Sequence, residues 1–340
     1  MSDDTPATPL TADDVDALAT GYRSCQILLT AVRLGVFETL EARGPLGAGE
    51  LAEALAASRR GVAILADALA ALGLLAKEEG RFRNVEVGRE LLLRDSPGSK
   101  VALFHHTAKL YERWAKLADA VRDGRPVPEE AVDPRLRSDA AGFAAAMHDV
   151  GRSSAGKVAD ALDLSSVRRL LDLGGGPGTY ALEFARRHPG LEAVVFDRPD
   201  TAEVAAGRIR DAGMAERVSV RAGDAVAGGD GGDLGGPYDF VFVSNLIHIY
   251  SAEDCRRLVA RCAGALESGG RLCLKDFFLD PDGTSPTGAA IFAVNMLVNT
   301  EGGGCYTLDE VDRWLTGAGL RRDQVIELTP QTRLVVAAKP

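Results

Sequence analysis

The sequence predicts an α/β protein, with an open, largely parallel sheet flanked by helices that follows an α-helical unit ending in a small hairpin. Three observations carry this expectation. Before about residue 163 the apolar residues recur at helical spacing. After residue 168 short β-rich runs alternate with amphipathic helices. The first of those runs ends in LLDLGGGPGT, 170–179, which places four glycines in five positions just beyond a strand.

Taken in chain order, Val15, Leu18, Tyr22, Cys25, Leu28 and Val32 return every three or four positions, so helix is expected from Thr11, its N-cap, to about residue 40. Residues 47–75 predict a short helix, a turn near Ser58 and a longer helix ending around Gly73. LLAKEEGRFRNV, 74–85, reads as a hairpin turning at Gly80. Together these outline a winged-helix-like unit. Further helices reach about residue 163, interrupted by the polar, proline-bearing loop at 122–134. Strands are then expected at 168–173, 192–197, 217–222, 238–245, 271–279 and 333–338. The glycine-rich stretch 227–236 reads as a flexible surface connection.

A chain of 340 residues with 46% hydrophobic and 26% charged residues is long enough for two full cores. Its formal charge of −10 disfavours nucleic acid or an anionic membrane as partner, since both reward clustered Lys and Arg. Cys25, Cys255, Cys262, Cys273 and Cys305 form no C-x-x-C pair, so reduced thiols are expected rather than a zinc site or disulfide framework. The segment MSDDTPATPL lacks a signal-type apolar core, and AAIFAVNMLV at 289–298 is too short to span a bilayer, so a cytoplasmic protein is expected.

Ligands of open α/β sheets sit beyond the carboxyl ends of the strands, where glycine permits tight turning and close approach of main chain to ligand. The pattern here is Asp172-x-Gly174-x-Gly176-x-Gly178; Thr179 stands where a dinucleotide motif has its third glycine. Asp197 ends the second expected strand, where a carboxylate accepts both hydroxyls of a ribose, although Asp197 or Asp200 would also serve as cap of the next helix. Asp224 holds the equivalent place after the third strand, suited either to an adenine amino group or to a Gly-Asp turn. These features point to an adenosine-bearing ligand.

At these residues the chain resembles the S-adenosylmethionine-dependent O-methyltransferases of the plant caffeate and bacterial antibiotic-tailoring type. The resemblance rests on LLDLGGGPG, VVFDRPD, RAGDAV, FVSNLIHIYSAEDC (242–255), LESGGRLCLKDFFLD (266–280) and NMLVNTEGGGCYTLDEVDRWLTGAGL (295–320). It implies a winged-helix-like dimerisation domain over 1–100, a helical connector contributing to the substrate pocket over 101–163, and a Rossmann-like class I methyltransferase domain over 164–340. It further implies a homodimer, with S-adenosyl-L-methionine as cofactor, S-adenosyl-L-homocysteine as product, and no metal. By the same resemblance Gly174 and Gly176 face the methionine part of the cofactor, Asp197 the ribose, and Asp224 with Val226 the adenine. Asp172, Arg198, Gly223, Ala225, Ser244 and Asn245 complete that site.

Methyl transfer from a sulfonium is an in-line displacement with a neutral leaving group, so it needs alignment and a deprotonated nucleophile more than a metal. His248, three residues past Asn245, carries an imidazole, the side-chain type suited to proton transfer near neutrality. The resemblance, through His248 and the following Glu253, Asp254 and Cys255, makes it the general base, and makes Asp276 the carboxylate that holds its ring, where the family has glutamate. Three departures stand out. No clear match exists for a second family glutamate, with Cys305 falling nearest and Glu301 a substitute; Ile249 follows His248 where plant members often have aspartate; and Gly151 stands where a serine is frequent. The acceptor side is expected to include Met147, Phe292, Asn295, Met296 and Asn299, with Ile291 on the same stripe and His105, His106 and Trp114 as lesser candidates, although core packing explains such a stripe equally well.

The activity expected is methylation of a hydroxyl on a small aromatic metabolite, with sulfur, nitrogen, carbon or a carboxylate as alternative acceptors. A winged-helix regulator is the main rival, opposed by the acidic charge and by a second helix carrying only Arg59 and Arg60 beside Asp67. A nicotinamide dehydrogenase is opposed by the missing third glycine. A third reading binds the cofactor without transferring methyl.

Overall fold

A computed structural model describes residues 10–136, 139–227 and 232–340. The chain divides into two compact units between Ala108 and Lys109.

The first unit comprises α1 (Ala12–Thr20), α2 (Tyr22–Leu34), α3 (Val36–Arg43), β1 (Leu46–Gly47), α4 (Ala48–Ala54), α5 (Arg59–Ala71), β2 (Leu75–Glu78), β3 (Arg81–Asn84) and α6 (Glu86–Leu91). Thr11 caps α1 in a reciprocal box with Asp14. The helix expected to run to residue 40 is three helices: the chain breaks at Gly21 between α1 and α2, and Gly35, at φ +74°, ends α2 and turns the chain into α3. Val15 and Leu18 are exposed rather than packed; the core lies instead among Val32, Phe37, Leu51, Leu69 and Phe82. The β2–β3 hairpin turns at Glu79 and Gly80, both at positive φ, which suits the right-handed twist of the strands.

From α7 (Val101–Trp114), which crosses the division, the chain continues through α8 (Leu117–Asp123) and α9 (Ala140–Ala161). The sheet unit follows as β4 (Arg169–Leu173), α10 (Thr179–Arg187), β5 (Glu192–Asp197), α11 (Pro199–Asp211), β6 (Val218–Ala222), β7 (Tyr238–Ser244), α12 (Ala252–Ala265), β8 (Leu266–Asp276), β9 (Phe278–Leu279), α13 (Thr287–Asn299), β10 (Tyr306–Thr307), α14 (Leu308–Gly317), β11 (Arg321–Thr329) and β12 (Thr332–Ala338). The seven-stranded order is β11-β12-β8-β7-β4-β5-β6. From β8 to β6 all neighbours are parallel, whereas β12 and β11 run antiparallel. Two details depart from expectation. The run at 271–279 is split: β8 stops at Asp276, and Phe278–Leu279 pairs separately with Tyr306–Thr307. β11 was not expected, since it is an edge strand whose first residues, Arg321 to Val325, are exposed and mostly polar. Of the expected surface connection at 227–236, residues 228–231 lie outside the described residues.

The two faces of the sheet bury different sets. Leu170, Phe240, Phe242, Cys273 and Leu334 pack with residues of α9, α10 and α11, whereas Leu171, Leu173, Val241, Val243, Leu272 and Leu274 pack with residues of α12 and α14. That alternation decides where each polar side chain at the strand ends is placed.

Candidate active site

The turn after β4 is built so that only glycine fits. Gly174, Gly176 and Gly178 have φ of +69°, +55° and +74°. A Cβ on Gly174 would lie 2.7 Å from the Leu246 side chain, and one on Gly175 would lie 2.6 Å from Asp172 Cγ. At Gly176 nothing lies within 4 Å, so its main chain faces open space. Gly174 N–H donates to Phe196 O (2.8 Å) and Gly176 N–H to Asp197 Oδ2 (2.8 Å), which ties the turn to β5.

Asp197 is held by a second donor, the Arg198 N–H, on Oδ1 (2.7 Å). Burial raises its carboxyl above the ordinary range, against those two hydrogen bonds. It does not cap α11, whose N-cap is Arg198 with Pro199 following; Asp200 accepts instead from Thr201 N–H. Asp224 is exposed, and its Oδ1 accepts from the N–H groups of Val226 (2.9 Å) and Ala227 (3.1 Å), an Asx turn. Gly223 N–H bonds Asp197 O, Ala225 is buried, and Val226 packs on the core. Arg261 of α12 clamps this loop through the carbonyls of Asp224, Ala225, Ala227 and Gly232. Nothing in the sequence of an amphipathic helix marks that guanidinium as a loop anchor.

Asp172 is fully buried. Its Oδ2 accepts from Ala181 N–H (3.3 Å), while Oδ1 has no partner, and burial pushes the carboxyl up to about 7, with the Asp197 charge adding to the effect. The Ser244 hydroxyl is likewise buried without a partner. Asn245 takes a left-handed conformation, φ +52°, and accepts from Lys275 Nζ at 3.0 Å.

His248 lies beyond β7 in a single 3₁₀ turn, Ile247–Ile249, and is 8% exposed. Its Nδ1 is 2.6 Å from Asp276 Oδ1, which also accepts from Phe277 N–H (2.8 Å). A carboxylate partner makes Nδ1 the protonated nitrogen and leaves the Nε2 lone pair for an outside proton. The turn is fixed from two sides. Cys255 Sγ donates to Ile247 O, and Gly304 N–H donates to His248 O (2.9 Å), with Gly303 so close that a Cβ there would collide with that same carbonyl. Cys305 is a neutral thiol, pushed up to about 12 by burial and the Asp276 charge, and Glu301 is exposed. Phe277 and Phe292 stack at 3.9 Å, and the His248 ring stands edge-on to Phe292 at 4.9 Å. Sequence reasoning missed Phe277 and Gly303.

On α13, Asn295 Oδ1 accepts from Trp114 Nε1 (2.9 Å) and Asn299 Nδ2 (3.1 Å), and Asn299 Oδ1 from Arg113 (3.2 Å). Arg113 in turn pairs with Glu129. Met296 is buried and Ile291 is exposed. Met147 is half-buried on α9, and Gly151, one turn on, packs against Thr179 and Tyr180. His105 and His106 belong to the first unit, where His105 lies 3.4 Å from Arg94. Among the described residues no cluster of His, Cys, Asp or Glu is placed to hold a metal, and no helix is long and apolar enough to cross a membrane.

Residues 114–321 match the O-methyltransferase domain family, and residues 17–94 match the O-methyltransferase dimerisation domain. The chain belongs to the S-adenosylmethionine-dependent O-methyltransferase family. It is 34% identical over 330 residues to the 3-hydroxy-5-methyl-1-naphthoate 3-O-methyltransferase of Streptomyces sahachiroi, covering 94% of this chain and 93% of that one. It is 31% identical over 337 residues to the tetracenomycin polyketide synthesis 8-O-methyltransferase of Streptomyces glaucescens, covering 96% of each. The human N-acetylserotonin methyltransferase in complex with S-adenosylmethionine superposes with a TM-score of 0.85 at 29% identity, covering 98% of this chain and 99% of that structure. This O-methyltransferase uses S-adenosylmethionine, and its residues fit that molecule. The open main chain at Gly176, the Asp197 carboxylate and the unpartnered Asp172 and Ser244 oxygens lie toward the carboxyl ends of the strands, the side on which open α/β sheets take their ligands.

Proposed function

We propose that this O-methyltransferase transfers methyl to a hydroxyl of a small, flat aromatic metabolite, with His248 as general base. The observation that carries the reading is the buried His248–Asp276 pair set against the stacked rings of Phe277 and Phe292. S-adenosylmethionine supplies an electrophilic methyl group on a sulfonium. His248 Nε2 takes the proton of the acceptor hydroxyl, and Asp276 keeps the ring in place and stabilises the imidazolium that forms. The two phenylalanines present aromatic surface, orient a planar acceptor and exclude water.

Asp197 serves the ribose, and Asp224 with Val226 the adenine. The Tyr250 phenol, pushed up to about 12 by burial and by the charges of Asp224 and Asp197, stays neutral beside them. Phe292, Met147 and the Asn295–Asn299 pair shape the acceptor side, the asparagines through their link to Trp114. The naphthoate and tetracenomycin relatives support an aromatic polyketide-like acceptor. The dimerisation-domain match at 17–94 supports a homodimer, and we place the enzyme in the cytoplasm.

The test is incubation with methyl-labelled cofactor and a panel of hydroxynaphthoates, simple phenols, thiophenols, anilines and aryl carboxylates. Label on phenolic oxygen is expected. Label confined to sulfur, nitrogen or carboxylate, or no transfer at all by protein that binds S-adenosylhomocysteine, rejects the reading.

A further inference from the structure

Lys275 is an anomaly of this sheet. It sits on β8, 4% exposed, with Nζ bonded to the neutral Asn245 Oδ1 and 5.8 Å from the centre of the Tyr180 ring. Among the described residues no carboxylate lies within ion-pair distance of it. A buried ammonium without a counter-charge is costly, and such groups are normally paired. A second buried group shows the opposite lack. Asp172 on β4 has an orphaned Oδ1 and no cation against it.

These two groups share one face. Asp172 continues the alternation of Leu170, and Lys275 that of Cys273, both on the side packed with residues of α9, α10 and α11. Between them runs β7, whose Ser244 is the direct register partner of Lys275 and carries a second unpartnered oxygen on this face. β4 and β8 are each neighbours of β7, and Asp172 is level with Cys273, two residues short of Lys275, so the two groups are about 12 Å apart at the main chain, two strand spacings across and two residues along. A molecule with an ammonium on one side and a carboxylate on the other, about 3 Å apart, completes both with hydrogen bonds to spare. His248 and Asp276 stand apart from this set, since Asp276 follows Leu274 onto the other face.

We propose that Lys275 is the carboxylate-binding residue for the amino-acid end of S-adenosylmethionine, released from Asn245 to meet that group while Asp172 faces the ammonium. The proposal rests on the cofactor assignment, and its test separates the two. Titration calorimetry compares S-adenosylhomocysteine with 5′-methylthioadenosine, which keeps the nucleoside and sulfur but lacks the amino-acid end. In Lys275→Met the Kd for S-adenosylhomocysteine is expected to rise about 10- to 100-fold, as for loss of a charge-assisted hydrogen bond, with that for 5′-methylthioadenosine changed by less than about twofold. Equal weakening of both ligands makes Lys275 a structural residue and overturns the proposal, as does no weakening of either. A second measurement needs no variant: the wild-type protein is expected to bind the carboxamide of S-adenosylhomocysteine at least about tenfold more weakly than the acid. Equal binding of acid and amide also overturns it. Failure to bind either nucleoside would instead reject the cofactor assignment.

Discussion

His248 Nδ1 and Asp276 Oδ1 lie 2.6 Å apart although they are 28 residues apart in sequence, because β7 and β8 are parallel neighbours that end side by side. That relationship frees Nε2 of His248 for the acceptor. We predict that His248→Ala lowers kcat by roughly 10²- to 10⁴-fold, while the Kd for S-adenosylhomocysteine, measured by calorimetry, stays within about twofold of wild type. Nearly full turnover in that variant would mean that alignment alone drives transfer.

Asp276 has a second task, since the same Oδ1 accepts from Phe277 N–H. In Asp276→Asn the amide must choose which neighbour to satisfy, and no negative charge remains to stabilise an imidazolium. A loss of roughly 10²-fold or more in kcat is expected. Cys305 is a neutral thiol and Glu301 is exposed, and among the described residues Asp276 is the carboxylate that pairs with His248. Activity unchanged in Asp276→Asn would show that the ring is held by packing against Phe292 alone.

The parts of this site that were legible in the sequence share one property: their chemistry is set by neighbours close along the chain. Gly174 and Gly176 follow a strand directly, Asp197 ends one, and His248 follows another, so position along the chain fixes position at the sheet edge. Lys275, Phe277, Arg261 and Gly303 were illegible for the opposite reason. A lysine or phenylalanine in a strand reads as solvated or as core until the register shows what lies across from it, and the tightest contact that requires glycine at 303 is with a carbonyl 55 residues earlier. The exposed strand β11 escaped notice because its residues carry little apolar alternation, and its place is set by pairing with β12.

Gly303 allows a direct test of how the base is positioned. A Cβ there collides with His248 O, so Gly303→Ala forces the 3₁₀ turn and the segment carrying Gly303 apart and disturbs the seat of His248. We expect a fall in kcat of about tenfold or more with S-adenosylhomocysteine affinity retained. Gly174→Ala is expected to act differently. It meets Leu246 at 2.7 Å and is strained at φ +69°, and it should weaken cofactor binding and lower the Tm by several degrees. The two variants therefore separate in calorimetry, and identical behaviour would contradict the division of the site.

Asp172 predicts a pH-dependent stability. Its folded-state carboxyl is pushed up to about 7 by burial, above its value in an unfolded chain. The folded protein thus holds that proton more tightly, so the contribution is fully present below the ordinary carboxylate range and is lost as pH rises through about 7. Asp172→Asn removes the ionisation and keeps an acceptor for Ala181 N–H. Without cofactor, its Tm advantage over wild type should be small near about pH 5 and grow toward about pH 8, by an amount on the order of a few kcal/mol in stability. A gap that stays constant with pH would mean that Asp172 ionises like an exposed aspartate.

The stacked pair of Phe277 and Phe292 argues for the shape of the acceptor. Phe292 is on α13 and Phe277 lies just past the end of β8, and the 3.9 Å stacking brings the two segments together beside His248. A planar acceptor that packs on these rings gains aromatic contact worth about 0.5 to 1.5 kcal/mol beyond its buried area. Truncation of either ring removes that contact and loosens the other. Phe292→Ala and Phe277→Ala should raise KM for a hydroxynaphthalene acceptor by about 5- to 20-fold, and raise it less for a monocyclic phenol, whose smaller face has less to lose. The cofactor Kd should not follow. If both acceptors suffer alike, the rings serve to seal His248 from water, and kcat would then be the parameter that falls.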